Sequence, residues 1–311
     1  MLYHIENEHL SCAVDDQGAQ LHSIKDRESG TEVLWPGDPA VWYGQAPVLF
    51  PIVGRLKDDR YRYNGREYTL PKHGFARKSL FRLEKLESAC VSFVLESSDA
   101  TRACYPFEFA LTLTYRLEGR ALIAEAQVEN RGEGEMYFSI GAHPGFNCQM
   151  GDVLRFDDPE TLASLWIDEE AMLAGGSYPV LENSTDITIH EHLFDKDALI
   201  LRDVKSQHVT LVRNGEASLK FDIGGAPVLG IWAKPGAAYV CIEPWFGLND
   251  SNGFTPDTHP NEPAGSPGTP DTHPNEPAGS PGTPDISQKP LIRRLGPGEA
   301  FTQFWKAEVL S

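Results

Sequence analysis

Four short motifs carry the residues of this chain best suited to chemistry. "GAHPGFN" holds His143, "CIEPWFGLND" holds Glu243 and Trp245, "LPKHGFARK" holds His73 and Arg77, and "FPIVGRLKD" holds Arg55. An imidazole titrating near ~6.5 can take or give a proton at neutral pH, and a carboxylate titrating near ~4.3 is ionised there and can accept one. Together they make a general acid–base couple. Arginines beside aromatic residues suit a concave site for a small polar ligand, the cations reaching hydroxyls and the rings supplying a face. Gly141, Ala142 and Gly145 around His143 leave room for a ligand to approach the ring, and Pro144 stiffens its mount.

Taken singly, each residue has a plainer explanation. Arg55 and Arg77 read equally well as a surface ion pair and a turn residue. Lone histidines in β proteins are mostly satisfied core or surface groups. Glu243 follows the apolar run "YVCI", which places it at the solvated end of a strand, and Trp245 reads as core.

The elements that must hold these residues are strands. "FEFALTLTY" sets Phe107, Phe109, Leu111, Leu113 and Tyr115 on one face at period two, and "CVSFVLES" does the same with Val91, Phe93 and Leu95. Asn64-Gly65 and Asn214-Gly215 sit between strand-like arms, where a tight turn with positive φ is expected. "SLWIDEEAML" reads as one short helix. Crossover helices are missing, so the fold class is all-β, a large antiparallel β-sandwich. Residues 1–311 read as a single domain. "RRLGPGEAFTQFWKAEVL" reads as a turn and a closing strand.

A Pro/Gly-rich insertion at 255–284 breaks this pattern. "TPDTHPNEPAGSPG" runs from 255 to 268, recurs at 269 to 282, and begins a third time at 283. It has no apolar face to offset its chain entropy, so it reads as a dispensable surface loop. His259 and His273 within it read as solvated, not as metal ligands.

The 311 residues are 41% hydrophobic and carry a formal charge of -18. That charge repels phosphate backbones and argues against nucleic acid as a partner. No apolar run is long enough to span a membrane, and the N-terminus has no secretory pattern. Five scattered cysteines without C-x-x-C fit reduced thiols and a cytoplasmic protein. Nothing points to an oligomeric state.

The order Arg, His-Gly-Phe, His-Pro-Gly-Phe-Asn, Glu resembles the aldose 1-epimerase (galactose mutarotase-like) family. The match is to a divergent bacterial branch with "KHGFAR", "GAHPGFN" and "EPWFGL", and it runs from about residue 3 to 309 apart from the insertion. The resemblance implies a β-supersandwich and interconversion of the α and β anomers of an aldose, with a sugar as partner and no cofactor or metal. It implies His143 as general acid and Glu243 as general base. Arg55 and His73 would bind the sugar, with Arg77 and Trp245 beside them. Asp197, in "LFDKDALIL", corresponds to the family's sugar-contacting aspartate, although the residues flanking it differ.

Other readings start from the same residues. A carbohydrate-binding protein without turnover would need neither an acid nor a base. A metalloenzyme using His73, His143 and Glu243 would be a two-His-one-carboxylate set. A mutarotase acting on a hexose phosphate would place the phosphate on Arg55 and Arg77.

Overall fold

The alternating stretches form strands with buried apolar faces. In the strand Phe109–Glu118, the side chains of Phe109, Leu111, Leu113 and Tyr115 are all buried. Each such side chain contributes roughly 1.5–3 kcal/mol by leaving water. The neighbouring strand Cys90–Glu96 buries Val91, Phe93 and Leu95. Both Asn-Gly pairs make the expected hairpins. Asn64 and Gly65 have φ of 48° and 72° between Arg60–Tyr63 and Arg66–Thr69, and Asn214 and Gly215 have 53° and 85° between His208–Arg213 and Glu216–Asp222.

A computed structural model describes residues 1–251 and 283–310 of the chain. The molecule is all-β. Its main body is a 15-stranded antiparallel sheet, and a three-stranded sheet is built from Leu2–Glu6, Leu10–Asp15 and Gln20–Asp26. At one end of the large sheet, Val48–Leu49, Ile140–Ala142, Tyr239–Phe246, Val228–Trp232 and Leu199–Arg202 lie side by side in that order. That end carries the candidate site. The closing strand Ala300–Val309 pairs with both Ala121–Asn130 and Glu216–Asp222. Among the described residues, no helix is long and apolar enough to cross a membrane, and none of the five cysteines forms a disulfide.

The helix expected at "SLWIDEEAML" is absent. Ser164 to Ile167 end the strand Val153–Ile167, and Leu173 begins the strand Leu173–Thr188. The turn between them is held by the Asp168 carboxylate, which accepts the backbone N–H groups of Glu170 and Met172 at 2.9 Å each. Pairing along two long strands outweighs the weak helical propensity of five residues.

All but the last two residues of the insertion expected at 255–284 lie outside the described residues, as do His259 and His273. Its flanks are tied together. Lys289 Nζ lies 3.0 Å from Asp250 Oδ1 with both side chains buried, and it also donates to the Leu248 carbonyl. Backbone bonds run from Asp250 N–H to the Arg55 carbonyl and from Leu173 N–H to the Asp250 carbonyl.

Candidate active site

Glu243 sits inside a strand, not at its end. The strand Tyr239–Phe246 continues three residues beyond it, all eight of its residues are buried, and Glu243 is 1% exposed. This corrects the solvated reading. Period two puts Cys241, Glu243 and Trp245 on one face. The strands on either side make room for them with glycine. Gly230 pairs with Glu243 and Gly141 with Trp245, and a Cβ on either glycine would come within 2.8 Å of the Trp245 indole.

His143 lies in the link between the strands Ile140–Ala142 and Gly145–Asn147, anchored by its N–H to the Pro47 carbonyl at 3.1 Å. Its Nε2 is 3.3 Å from Glu243 Oε2. Trp42 stacks on the imidazole at 5.1 Å between centroids, and Trp232 meets it edge-on at 5.6 Å. The small neighbours of His143 therefore serve a different purpose from the one expected. Gly141 accommodates Trp245, and Gly145 accommodates Trp42, whose ring would lie 2.9 Å from a Cβ there.

The "KHGFAR" turn brings in three cavity residues. His73 and Gly74 both have positive φ, 65° and 68°. Glycine is required at 74, where a Cβ would lie 2.3 Å from the Phe50 carbonyl oxygen. His73 Nδ1 accepts the Gly54 N–H at 3.1 Å, so the neutral ring carries its proton on Nε2. Arg77 donates to the Lys72 carbonyl at 2.7 Å, which closes the turn.

These residues converge on one cavity of about 270 Å³. His73, His143, Asp197, Glu243, Arg77 and Trp245 all line it, as the sequence reading grouped them. Trp245 is 4% exposed and spends its indole N–H on Glu243 Oε2 at 3.2 Å, so it orients the carboxyl and offers no open face. Asp197, at φ 69° before the strand Leu199–Arg202, accepts the Ala198 N–H. Arg55 is the exception. It does not line the cavity, because its guanidinium is held in two bonds to Asp59 at 2.8 and 3.0 Å and donates to the Glu170 carbonyl at 3.1 Å. The cations at the cavity are Lys72 and Arg77.

Trp42, Trp232, Lys72 and Asn249 also line the cavity and were not anticipated. Lys72 adjoins His73 in a motif already singled out, so a signal existed. Trp42 and Trp232 have none, being brought together only by the fold. A larger cavity, about 360 Å³, lies elsewhere against Arg120, Arg213 and Leu219. It holds no histidine, and its Asp26 is paired with Arg120.

Burial dominates the electrostatics. It pushes the Glu243 carboxyl well above its usual range, with Asp197 adding to the shift and the Trp245 N–H and Lys72 opposing it. Burial pulls the His143 imidazole down to about 3, and the charges of Lys72 and Arg77 act in the same direction. His73 is likewise held well below its ordinary value, by burial first and by Lys72 next. The free-solution expectation of an ionised glutamate beside a titrating histidine is thereby reversed, and the pair favours a protonated carboxyl beside a neutral imidazole.

The cavity gathers unsatisfied polar atoms. Of the seven buried side-chain nitrogens and oxygens without a hydrogen-bond partner among the described residues, four belong to its lining: Glu243 Oε1, His143 Nδ1, Asn249 Oδ1 and Arg77 Nε. Each such group costs about 1–3 kcal/mol when left unpaired, a cost concentrated where a polar ligand would remove it.

The chain is similar to known proteins over most of its length. A family profile described as Aldose 1-epimerase matches residues 1–257. The plasmid and chromosomal forms of Protein LacX of Lactococcus lactis subsp. lactis are each 34% identical over 268 residues, covering 81% of this chain and 89% of theirs. Among solved structures, a galactose mutarotase related enzyme from Lactobacillus acidophilus superposes with a TM-score of 0.86 at 29% identity, covering 100% of this chain and 98% of its own. A galactose mutarotase-like protein from Lactobacillus casei gives 0.84 at 26% identity, with 100% of both chains covered.

Proposed function

The chain belongs to the aldose 1-epimerase family, a family of isomerases, and we propose that it interconverts the α and β anomers of an aldose by general acid–base catalysis of ring opening. The observation that carries this is the 3.3 Å approach of His143 Nε2 to Glu243 Oε2 at a cavity lined by further polar groups.

Mutarotation breaks the C1–O5 bond and reforms it on the other face of C1. One group takes the proton of O1 while another gives a proton to O5. After rotation about C1–C2 the two transfers run backwards. O1 and O5 are both bonded to C1, so the groups serving them can stand side by side and need not face each other across the ring. The resemblance assigned the acid to His143 and the base to Glu243. Burial favours the opposite starting point, in which the Glu243 carboxyl protonates O5 and the neutral His143 receives the O1 proton. Ring closure exchanges the roles, so each group serves in both within one cycle. Nothing is oxidised and no group leaves, so proton transfer suffices.

His73, with its proton on Nε2, supplies a donor to the sugar, and Asp197 and Asn249 Oδ1 supply acceptors. Glu243→Gln keeps the shape and removes the carboxyl proton. Anomer exchange of glucose or galactose, followed by polarimetry or NMR, should then slow by roughly 10²–10⁴-fold. A rate close to wild type in the folded variant rejects the assignment, and no acceleration by the wild type over buffer rejects the enzyme.

A second reading concerns the substrate. Lys72 has no side-chain partner among the described residues, and Arg77 Nε is buried unpaired, both at the cavity. Two such cations favour an anionic sugar such as a hexose phosphate, with Lys72 in the place first given to Arg55. Comparing glucose with glucose 6-phosphate separates the readings, and Lys72→Met should weaken binding of the phosphorylated substrate far more than that of glucose.

A further inference from the structure

We propose that His143, Cys241 and Glu243 form a binding site for one thiophilic divalent cation, of the zinc or cadmium kind, which on binding occupies the acid–base pair. One ligand atom from each residue lies within 4.8 Å of the other two. His143 Nε2 and Glu243 Oε2, 3.3 Å apart, already stand at the separation of about 3.4 Å that two ligands ~2.0–2.2 Å from a tetrahedral centre require. Cys241 lies two residues before Glu243 on the same face of the strand and is fully buried. Its antiparallel partner is Gly145, on which a Cβ would reach 3.4 Å from the sulfur. A larger residue at 145 would crowd that side of the thiol.

One observation besides proximity points to a ligand. Glu243 Oε1, the second oxygen of the ligating carboxyl, is buried with no hydrogen-bond partner, and Glu243 is 1% exposed. The donor set is imidazole nitrogen, thiolate sulfur and carboxylate oxygen. That set selects borderline-soft ions over magnesium or calcium, which prefer all-oxygen sites. Three protein ligands leave a fourth tetrahedral position for water. A metal binding here forms the metal–sulfur bond as the Cys241 thiol releases its proton, and it displaces the proton of the Glu243–His143 pair. Affinity therefore rises with pH. The site differs from the His73, His143 and Glu243 set weighed from the sequence, because among the described residues His73 does not join this group.

Metal binding stands on the three side chains alone, and only its inhibitory consequence rests on the mutarotase reading. The test is titration of the full-length protein with Cd²⁺ alone, followed by the ultraviolet thiolate-to-cadmium absorption and by calorimetry. The wild type should bind one equivalent with that absorption. Cys241→Ser should abolish the band although four other cysteines remain. Glu243→Gln and His143→Gln, which keep the thiol, should keep the band and weaken affinity at least tenfold. No saturable band in the wild type overturns the site, as does an unchanged band in folded Cys241→Ser or unchanged affinity in both cavity variants. If Cys241→Ser does not fold, the two cavity variants decide. Anomer exchange in a chelator is measured separately, so failure of either claim leaves the other intact.

Discussion

Trp245 donates its indole N–H to Glu243 Oε2 at 3.2 Å, two residues along the same strand. The same oxygen faces His143 Nε2. One carboxyl oxygen is thus held from two sides while Oε1 is buried without a partner. The strand's period and the glycines at 141 and 230 make this possible, because they admit an indole beneath a buried carboxyl.

The first prediction concerns pH. A Glu243–His143 pair must hold one proton to work. It gains a second only as pH falls towards the lowered His143 value of about 3, and loses its last as pH rises through the raised Glu243 value. The rate should therefore stay level across the interval between ~4.3 and ~6.5, the ordinary values of the two groups, and fall only outside it, towards pH 3 and at higher pH. Trp245→Phe removes a bond to the charged carboxylate, so the alkaline limb should move to still higher pH and kcat should fall more than KM changes. A bell centred between the two ordinary values would refute both statements.

Replacing Glu243 should also stabilise the fold. In the unfolded chain this glutamate titrates near ~4.3, and in the folded protein burial raises it. Below ~4.3 both states are protonated and ionisation carries no penalty. Above it only the unfolded chain releases the proton, so wild-type stability declines as pH rises towards the folded value. Glu243→Gln lacks this decline. Denaturant unfolding should show its advantage growing from pH 4 to 8, and a constant difference would contradict the burial argument.

Gly230→Ala tests the room beneath Trp245. The new Cβ would sit 2.8 Å from the indole and 3.2 Å from Glu243 Cβ. Overpacking of this kind costs typically 1–3 kcal/mol. We expect loss of stability together with a slower reaction, because the displaced indole no longer orients Glu243. Full activity would show that Trp245 has no positioning role.

The fourth prediction contrasts the insertion with its base. Asp250→Asn leaves Lys289 buried without its counter-charge and should cost about 3–5 kcal/mol, read as a shift in the denaturation midpoint. Removing one copy of the fourteen-residue repeat, 269–282, only shortens a connection between tied ends. Loop closure changes by less than about 1 kcal/mol for such a cut. Stability and anomer exchange should therefore be nearly unaltered, and a large loss of either would give the repeat a role that its composition does not suggest.

Much of this protein could be read from its residues in order. Alternation in 107–115 and 91–95 and the two Asn-Gly turns are decided by neighbours in the chain, through dihedral preference and side-chain period, so the all-β architecture followed from them. The motifs around His73, His143 and Glu243 likewise marked the cavity. The five residues after Ile167 misled because their helical tendency is weaker than the pairing of the strands they join. Arg55 misled because an arginine's ligand and its ion-pair partner look alike until the position of Asp59 is known. Trp42 and Trp232 had no signature, since only folding sets them against His143. Tertiary structure alone decided the distance between His143 and Glu243, a hundred residues apart, and the direction in which the titration of each is shifted. Desolvation is the reason: it arises from the atoms packed around a group, most of them distant in the chain, and no stretch of sequence around His143 or Glu243 contains that information.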